Sequence, residues 1–405
     1  MNTTSLLRKV LVLAPFVFTF AFALDIYVPS LPSLPGYFHT SPFAVQLTVS
    51  AFLLLTGIGQ LFAGPIADSI GRRKVALVGT ATFLAGSIIA VFAPNIETLI
   101  AARMIEGFGA CAMMVATFAM VRDLFDGNTI AKVYSYLNAG VALSPLLAPS
   151  IGGYMEKFYD WRATFVFLSV MSALILLLGI FKTKETLTEE NRVPLSRKVF
   201  KDYLHIVKSN HFKLFALSAS AGFSCFMIFI SVSSYLLISI LNVPVEQFGI
   251  WFGLIGIVFF IGSLISGYAA SKIGAFGTVV IGALLVALSG LGMLGWYLVA
   301  GLSISSFIVP MMTMGIGGSM MMGAGAGGAI EPYPTMAGAA SAVFGFFQFT
   351  IAFAVSTFVL QFEVTSTEPL AIAQITLGSA ILLFSLAIKF SRKSSHTLGS
   401  EVTSS

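Results

Sequence analysis

The stretch Gly64-Pro65-Ile66-Ala67-Asp68-Ser69-Ile70-Gly71-Arg72-Arg73-Lys74 packs one acid, three bases and two glycines between two long apolar runs, about residues 42–63 and 75–93. A short basic loop between apolar spans belongs on the cytoplasmic face of a membrane, because Lys and Arg resist translocation. The glycines permit close helix approach, and Asp68 stands where it can pair with a base or cap a helix end.

Composition extends that reading to the whole chain. Of 405 residues, 57% are hydrophobic and 10% are charged, against roughly 25% charged in a soluble domain. Too little polar residue remains to clothe one aqueous core, which implies a polytopic membrane protein. The apolar runs are continuous and do not alternate in dyads, so a β-barrel is excluded. The net charge of +5 sits in short loops and termini, where it reports orientation and not a nucleic-acid partner. Cys111 and Cys225 lie inside apolar runs and read as small buried hydrophobes, and His39, His205, His211 and His396 are scattered. No metal site, cofactor, nucleotide-binding glycine loop or nucleophile–base arrangement is visible, so the expectation is neither an enzyme nor an ATP-driven pump.

Twelve helical spans of about 20 residues fit the length. They are expected near residues 10–30, 42–63, 75–93, 97–123, 130–154, 162–181, 214–238, 248–271, 277–299, 305–328, 336–360 and 370–390. Arg8 and Lys9 precede the first apolar run without a convincing cleavage site, so that run is read as a retained span. Residues 182–213 carry eight bases and four acids and form the long internal loop. They divide the chain into an N-terminal six-helix bundle (1–181), a cytoplasmic linker (182–213), a C-terminal six-helix bundle (214–390) and a cytoplasmic tail (391–405). The linker reads as a solvated basic segment in preference to an amphipathic partner helix. Gly267 and Gly274 repeat the seven-residue spacing of Gly64 and Gly71, with Ser271 in place of the aspartate, as in an eroded internal repeat. With the N-terminus inside, the bases concentrate on one side and both termini are cytoplasmic; the outer loops keep Lys157 and Arg162.

Asp25, Arg103 and Glu106 fall within spans. An ionisable residue there costs at least ~2.5–3.5 kcal/mol at the membrane centre and marks a functional site by default. Arg103 and Glu106 share a helix face, and Asp25 lies at a depth similar to Arg103. The plainer alternative is a structural Arg103–Asp25 or Arg103–Glu106 pair. Proton binding by a buried carboxyl, in competition with cargo, would couple a proton gradient to transport. Tyr27, Met114, Phe347 and Gln348 are the candidate cavity lining, and the span-ten methionines are an adaptable surface or plain packing.

The loop quoted first resembles the G-x-L-A-D-x-x-G-R-R/K signature of the major facilitator superfamily, matched by Gly64, Ala67, Asp68, Gly71, Arg72 and Arg73 with Ile66 for the leucine. Residues 103–110 resemble the R-x-x-Q-G-x-G motif of drug:proton antiporters, with Glu106 for the glutamine. The run Leu24 to Pro32 resembles the L-D-x-Y-L-P-x-L-P opening of the Bcr/CflA drug-resistance subfamily, and Arg122-Asp123, Trp161-Arg162 and residues 337–342 are similar to other segments of it. Residues 140–153 resemble the exporters' antiporter motif in degenerate form, through Gly140, Pro145, Pro149, Gly152 and Gly153, with Ser144 replacing a glycine.

The resemblance implies two six-helix bundles around an alternating-access cavity in a bacterial inner membrane. It implies proton-driven efflux of small amphipathic compounds such as phenicol-type or other antibiotics, by a monomer whose partners are substrate, protons and lipid. Asp25 and Arg103 are then expected in coupling, Glu106 in coupling or cargo contact, and Gly64, Asp68, Gly71, Arg72 and Arg73 in the inner gate. Transport of a specific metabolite or siderophore, and a non-transporting receptor of the same fold, are the rival readings.

Overall fold

The computed structural model describes residues 3–126, 128–362 and 365–402 and is helical throughout. Its α-helices are α1 (Thr3–Asp25), α2 (Leu34–Phe38), α3 (Pro42–Ile70), α4 (Arg72–Val91), α5 (Ile96–Leu124), α6 (Asn128–Phe158), α7 (Arg162–Lys182), α8 (Arg197–Lys208), α9 (Asn210–Ser234), α10 (Val245–Ala300), α11 (Ile304–Ile330), α12 (Ala337–Val359) and α13 (Glu368–Val402). Ten stretches among the described residues are long and apolar enough to cross a membrane. Leu174, Leu264 and Leu298 are exposed on their outsides, as a lipid-facing surface requires.

Local sequence sets the helix starts. Ser41, Asn95, Ser209 and Ser303 each accept a backbone N–H from the first turn of the helix they cap, and Ser303 forms a reciprocal capping box with Ser306. Pro42 occupies the first turn, where its missing N–H costs nothing. Gly71 separates α3 from α4 with φ +114°, a conformation that side chains resist.

Helix α10 spans 56 residues but is interrupted at Gly274, whose φ of +76° is non-helical. The expected boundary between spans eight and nine therefore narrows to that one glycine of the eroded repeat. The linker corrects the sequence reading more substantially. It contains α8, an amphipathic helix whose Tyr203 and Ile206 are buried while Lys198, Lys201 and Lys208 stay exposed. Val199, Tyr203 and Ile206 recur at helical spacing, and the charge density masked that pattern. Helix α13 also runs past the expected tail boundary, through Val402.

Within the first part of the chain α4 packs on α5 and α7, α3 on α5, and α1 on α6. In the second, α10 packs on α11 and α13, and α11 on α9. The two groups meet where α3 lies on α12 and α6 lies on α10. On α10, a Cβ at Gly249 would strike Ser150, one at Gly253 would come within 2.8 Å of Leu146, and one at Gly256 within 2.8 Å of Pro145. On α6, Gly153 faces the backbone of Val245, and Gly152 faces the Ile26 carbonyl of the segment after α1. This small-residue seam lets the backbones approach as membrane helices do.

Candidate functional site

Asp25 is the last residue of α1 and is buried. Its Oδ2 accepts a hydrogen bond from Ser144 Oγ of α6 at 2.7 Å. Pro145 and Pro149 lie inside α6, and Pro removes i→i−4 hydrogen bonds from a helix interior. Asp25 is the one carboxylate lining a cavity of about 240 Å³ walled by Phe20, Leu24, Pro145, Phe223, Phe226 and Phe259, with Asn138 among the few polar groups. Phe349 of α12 packs edge-on against both Phe20 and Phe223, which joins the wall across the two helix groups.

Arg103 of α5 is fully buried and does not pair with Asp25. Its Nη1 donates to Glu106 Oε2 at 2.5 Å and its Nη2 to the Ala23 carbonyl of α1 at 3.2 Å. The guanidinium also lies over the rings of Phe52, Tyr27 and Phe165 at 4.5, 5.5 and 5.9 Å, a desolvated cation–π cage. Glu106 Oε1 accepts from Ser87 Oγ of α4 at 2.6 Å. Arg103 therefore ties α4 and α5 to the α1 backbone two residues before Asp25. Glu106, fully buried within this network, lines neither cavity.

A second cavity, about 670 Å³, lies at the end of the molecule that carries the linker. It is lined by Gln60, Gly64, Asp68, Arg72, Met114, Arg122, Tyr134 and one face of α8. Arg72 pairs with Asp68 and reaches Asp123 Oδ2 at 3.4 Å. Arg73 donates to the Thr183 and Ile180 carbonyls of the α7 end at 3.0 and 2.9 Å.

Glu185 completes this knot and was not anticipated from sequence. Its Oε1 accepts the Arg72 backbone N–H at 2.9 Å, and a Cβ on Gly71 would collide with its carboxylate. Tyr203 of α8 donates to the Leu61 carbonyl of α3 at 3.0 Å. Burial pushes its phenol up to about 12, so it is a neutral donor at working pH.

The remaining candidate lining residues are dispersed. Met114 lines the linker-end cavity. Tyr27 is fully buried in the Arg103 cage, Phe347 stacks edge-on against Phe212, and half-buried Gln348 lines neither cavity. The aromatic walls Phe223 and Phe226 sit on a helix that is buried on nearly every side. Nothing in the sequence singles them out from core.

At the opposite end the two helix groups are joined, among the described residues, by three polar contacts. Lys157 pairs with Glu246 at 2.6 Å, Gln46 Nε2 donates to the Ser231 carbonyl at 2.7 Å, and Tyr235 Oη donates to the Leu31 carbonyl at 3.0 Å.

The family model of the Major Facilitator Superfamily matches residues 13–357. The chain belongs to this superfamily of membrane transporters. A bicyclomycin resistance protein homolog of Haemophilus influenzae is 29% identical over 91% of this chain and 92% of its own length. A chloramphenicol resistance protein of Pseudomonas aeruginosa is 28% identical over 93% and 90%. These names are of the drug-resistance kind that the Asp25, Arg103 and residue 140–153 motifs resemble. A crystal structure of a D-xylose–proton symporter superposes with a TM-score of 0.77 over 93% of this chain and 96% of that one, at 15% identity, and bears on the fold alone.

Proposed function

We propose that this superfamily member is a proton-driven exporter of small amphipathic compounds, antibiotics among them, working by alternating access in a bacterial inner membrane. The observation that carries the reading is Asp25, a single carboxylate set in an aromatic cavity between the two helix groups. Such a cavity suits an apolar or cationic cargo. A proton and a cargo would then compete for the Asp25 carboxylate, and Ser144 would hold its charged form between the two. One pH unit supplies ~1.4 kcal/mol and 100 mV ~2.3 kcal/mol per charge moved. Together they support a gradient of roughly a few hundred-fold for one proton per neutral cargo.

The architecture we infer has twelve spans, with α6 counted and α10 divided at Gly274, in two bundles over residues 1–181 and 214–390. The linker end faces the cytoplasm with both termini, and one chain suffices for transport. The Arg72–Asp68–Asp123–Glu185 knot with Arg73 acts as the inner gate, beside Gly64 and Gly71. The Lys157–Glu246, Gln46–Ser231 and Tyr235–Leu31 contacts close the outer side. Pro145, Pro149, Gly152 and Gly153 hold the seam on which the bundles rock, and Gly140 leaves the helix free of side-chain bulk beside Phe18. Arg103, held by Glu106, fixes the α1 backbone from which Asp25 projects.

Everted vesicles acidified inside test this with chloramphenicol as the probe. Proton release on addition of the drug, lost in Arg103→Ala, supports antiport; no release from wild-type vesicles, for chloramphenicol or bicyclomycin, counts against it.

A further inference from the structure

A second acid lies on the same helix that supplies Ser144. Glu156 is twelve residues further along α6, about 18 Å by helical rise, at the end remote from the linker. Its Oε2 is buried and has no hydrogen-bond partner among the described residues. The side chain is faced by the hydroxyls of Ser30 and Ser33, from the turns that follow α1. Ser30 is fully buried, and among the described residues its own Oγ makes no hydrogen bond, while Ser33 Oγ donates to the Ser30 carbonyl at 2.9 Å.

The charged groups nearby do not neutralise Glu156. Lys157 turns away to pair with Glu246. Arg162 is spent on the Val91 and Ala93 carbonyls and the Tyr37 hydroxyl. Asp160 is a like charge. A carboxylate with no cation, one buried bare oxygen and two hydroxyls beside it is built to take up and give up a proton, not to pin helices.

We propose that Glu156 is a second proton-binding site, the outer carboxyl through which protons reach Asp25. This rests on the efflux reading above for its direction of travel. Ser30 follows Asp25 by five residues in helical and 3₁₀ turns, about 8–10 Å by rise. That span is too long for one hydrogen bond and short enough for a hydroxyl with one or two waters. A proton from the outer solution adds to the Glu156 carboxylate, passes along the Ser30 hydroxyl and adjoining water, and ends on Asp25. Glu156 is left ionised for the next cycle. The ligand is the hydron alone, and no cargo contact is assigned to Glu156.

Two measurements on the purified full chain decide the matter. Infrared difference spectra between acid and alkaline buffer report protonated carboxyls directly and need no cargo. Glu156→Gln is expected to remove one titrating carboxyl band present in wild type. In proteoliposomes, chloramphenicol-coupled proton flux is expected to fall about tenfold or more in Glu156→Gln. Glu156→Asp, which keeps the carboxyl, is expected to restore most of it with a shifted pH profile, a result that a packing role would not produce. Identical infrared bands in wild type and Glu156→Gln, or wild-type flux and pH profile in that variant, would overturn the assignment. If chloramphenicol moves no protons in wild type, the efflux reading fails, and the infrared band still decides whether Glu156 binds a proton.

Discussion

Replacing Glu106 by alanine exposes the logic of the buried pair most sharply. Glu106 and Arg103 are both fully buried, joined at 2.5 Å, and the other carboxylate oxygen holds Ser87 at 2.6 Å. Glu106→Ala leaves the Arg103 guanidinium with one carbonyl and three ring faces. A desolvated ring contact is worth ~2 kcal/mol, which does not replace a carboxylate, and breaking a buried pair from one side costs ~3–5 kcal/mol. Glu106→Gln keeps a carbonyl acceptor for Arg103 and turns an NH2 donor toward Ser87 Oγ, whose own proton can stay on the Phe83 carbonyl, so it loses only the charge-assisted part, ~1.5–3 kcal/mol. The double replacement of Arg103 by Met and Glu106 by Leu removes both charges together, so its cost is expected to fall well below the sum of the single ones. Unfolding of the purified proteins in graded SDS, followed by near-ultraviolet circular dichroism, orders wild type, Glu106→Ala and Glu106→Gln, and closes the cycle with Arg103→Met, Glu106→Leu and their double. A loss below about 1 kcal/mol for Glu106→Ala, or strict additivity in the cycle, would refute the reasoning.

Gly71→Ala forces a side chain into φ +114° and against the Glu185 carboxylate. It is expected to cost about 1–3 kcal/mol in the same unfolding assay, with only the steric share recovered when Glu185→Ala is added. Lys157→Ala removes a half-exposed pair that solvent and salt screen. The outer-side closed population is then expected to shift by no more than about fivefold, read from spin-label distances across that end. The charge swap of Lys157 to Glu with Glu246 to Lys is expected to restore closure, and a swap worse than the single variant would disprove the latch. Asp68→Asn frees Arg72 from one of its two acids and is expected to slow cycling while leaving the Kd of chloramphenicol near that of wild type. A large loss of affinity would remove Asp68 from the gate.

Much of the fold was legible because membrane burial leaves a coarse trace. Continuous apolar runs gave the helices, and Gly64 to Lys74 marked the turn between α3 and α4. Gly267 and Gly274 foretold the break in α10. The i,i+3 spacing of Arg103 and Glu106 announced their pair, whereas similar depth wrongly allowed Asp25 as the partner. Depth does not fix the rotation of a helix, and Asp25 faces Ser144 instead. Glu185 was hidden because its contact with Gly71 and Arg72 joins residues more than a hundred apart. Helix α8 was hidden by its lysines, and its apolar stripe of half-buried Val199 and buried Tyr203 and Ile206 has a surface to dock on only once α3 and α12 are assembled. The ring cage of Tyr27, Phe52 and Phe165 comes from the turn after α1, α3 and α7, with no common motif.

The most direct test of the central claim is a comparison of wild type and Asp25→Asn in proteoliposomes under an imposed pH gradient. Wild type is expected to accumulate chloramphenicol against its gradient, with protons moving in the opposite direction. Asp25→Asn is expected to lose that uphill accumulation and the linked proton movement while remaining folded. Uphill accumulation by Asp25→Asn at the wild-type rate would contradict the account.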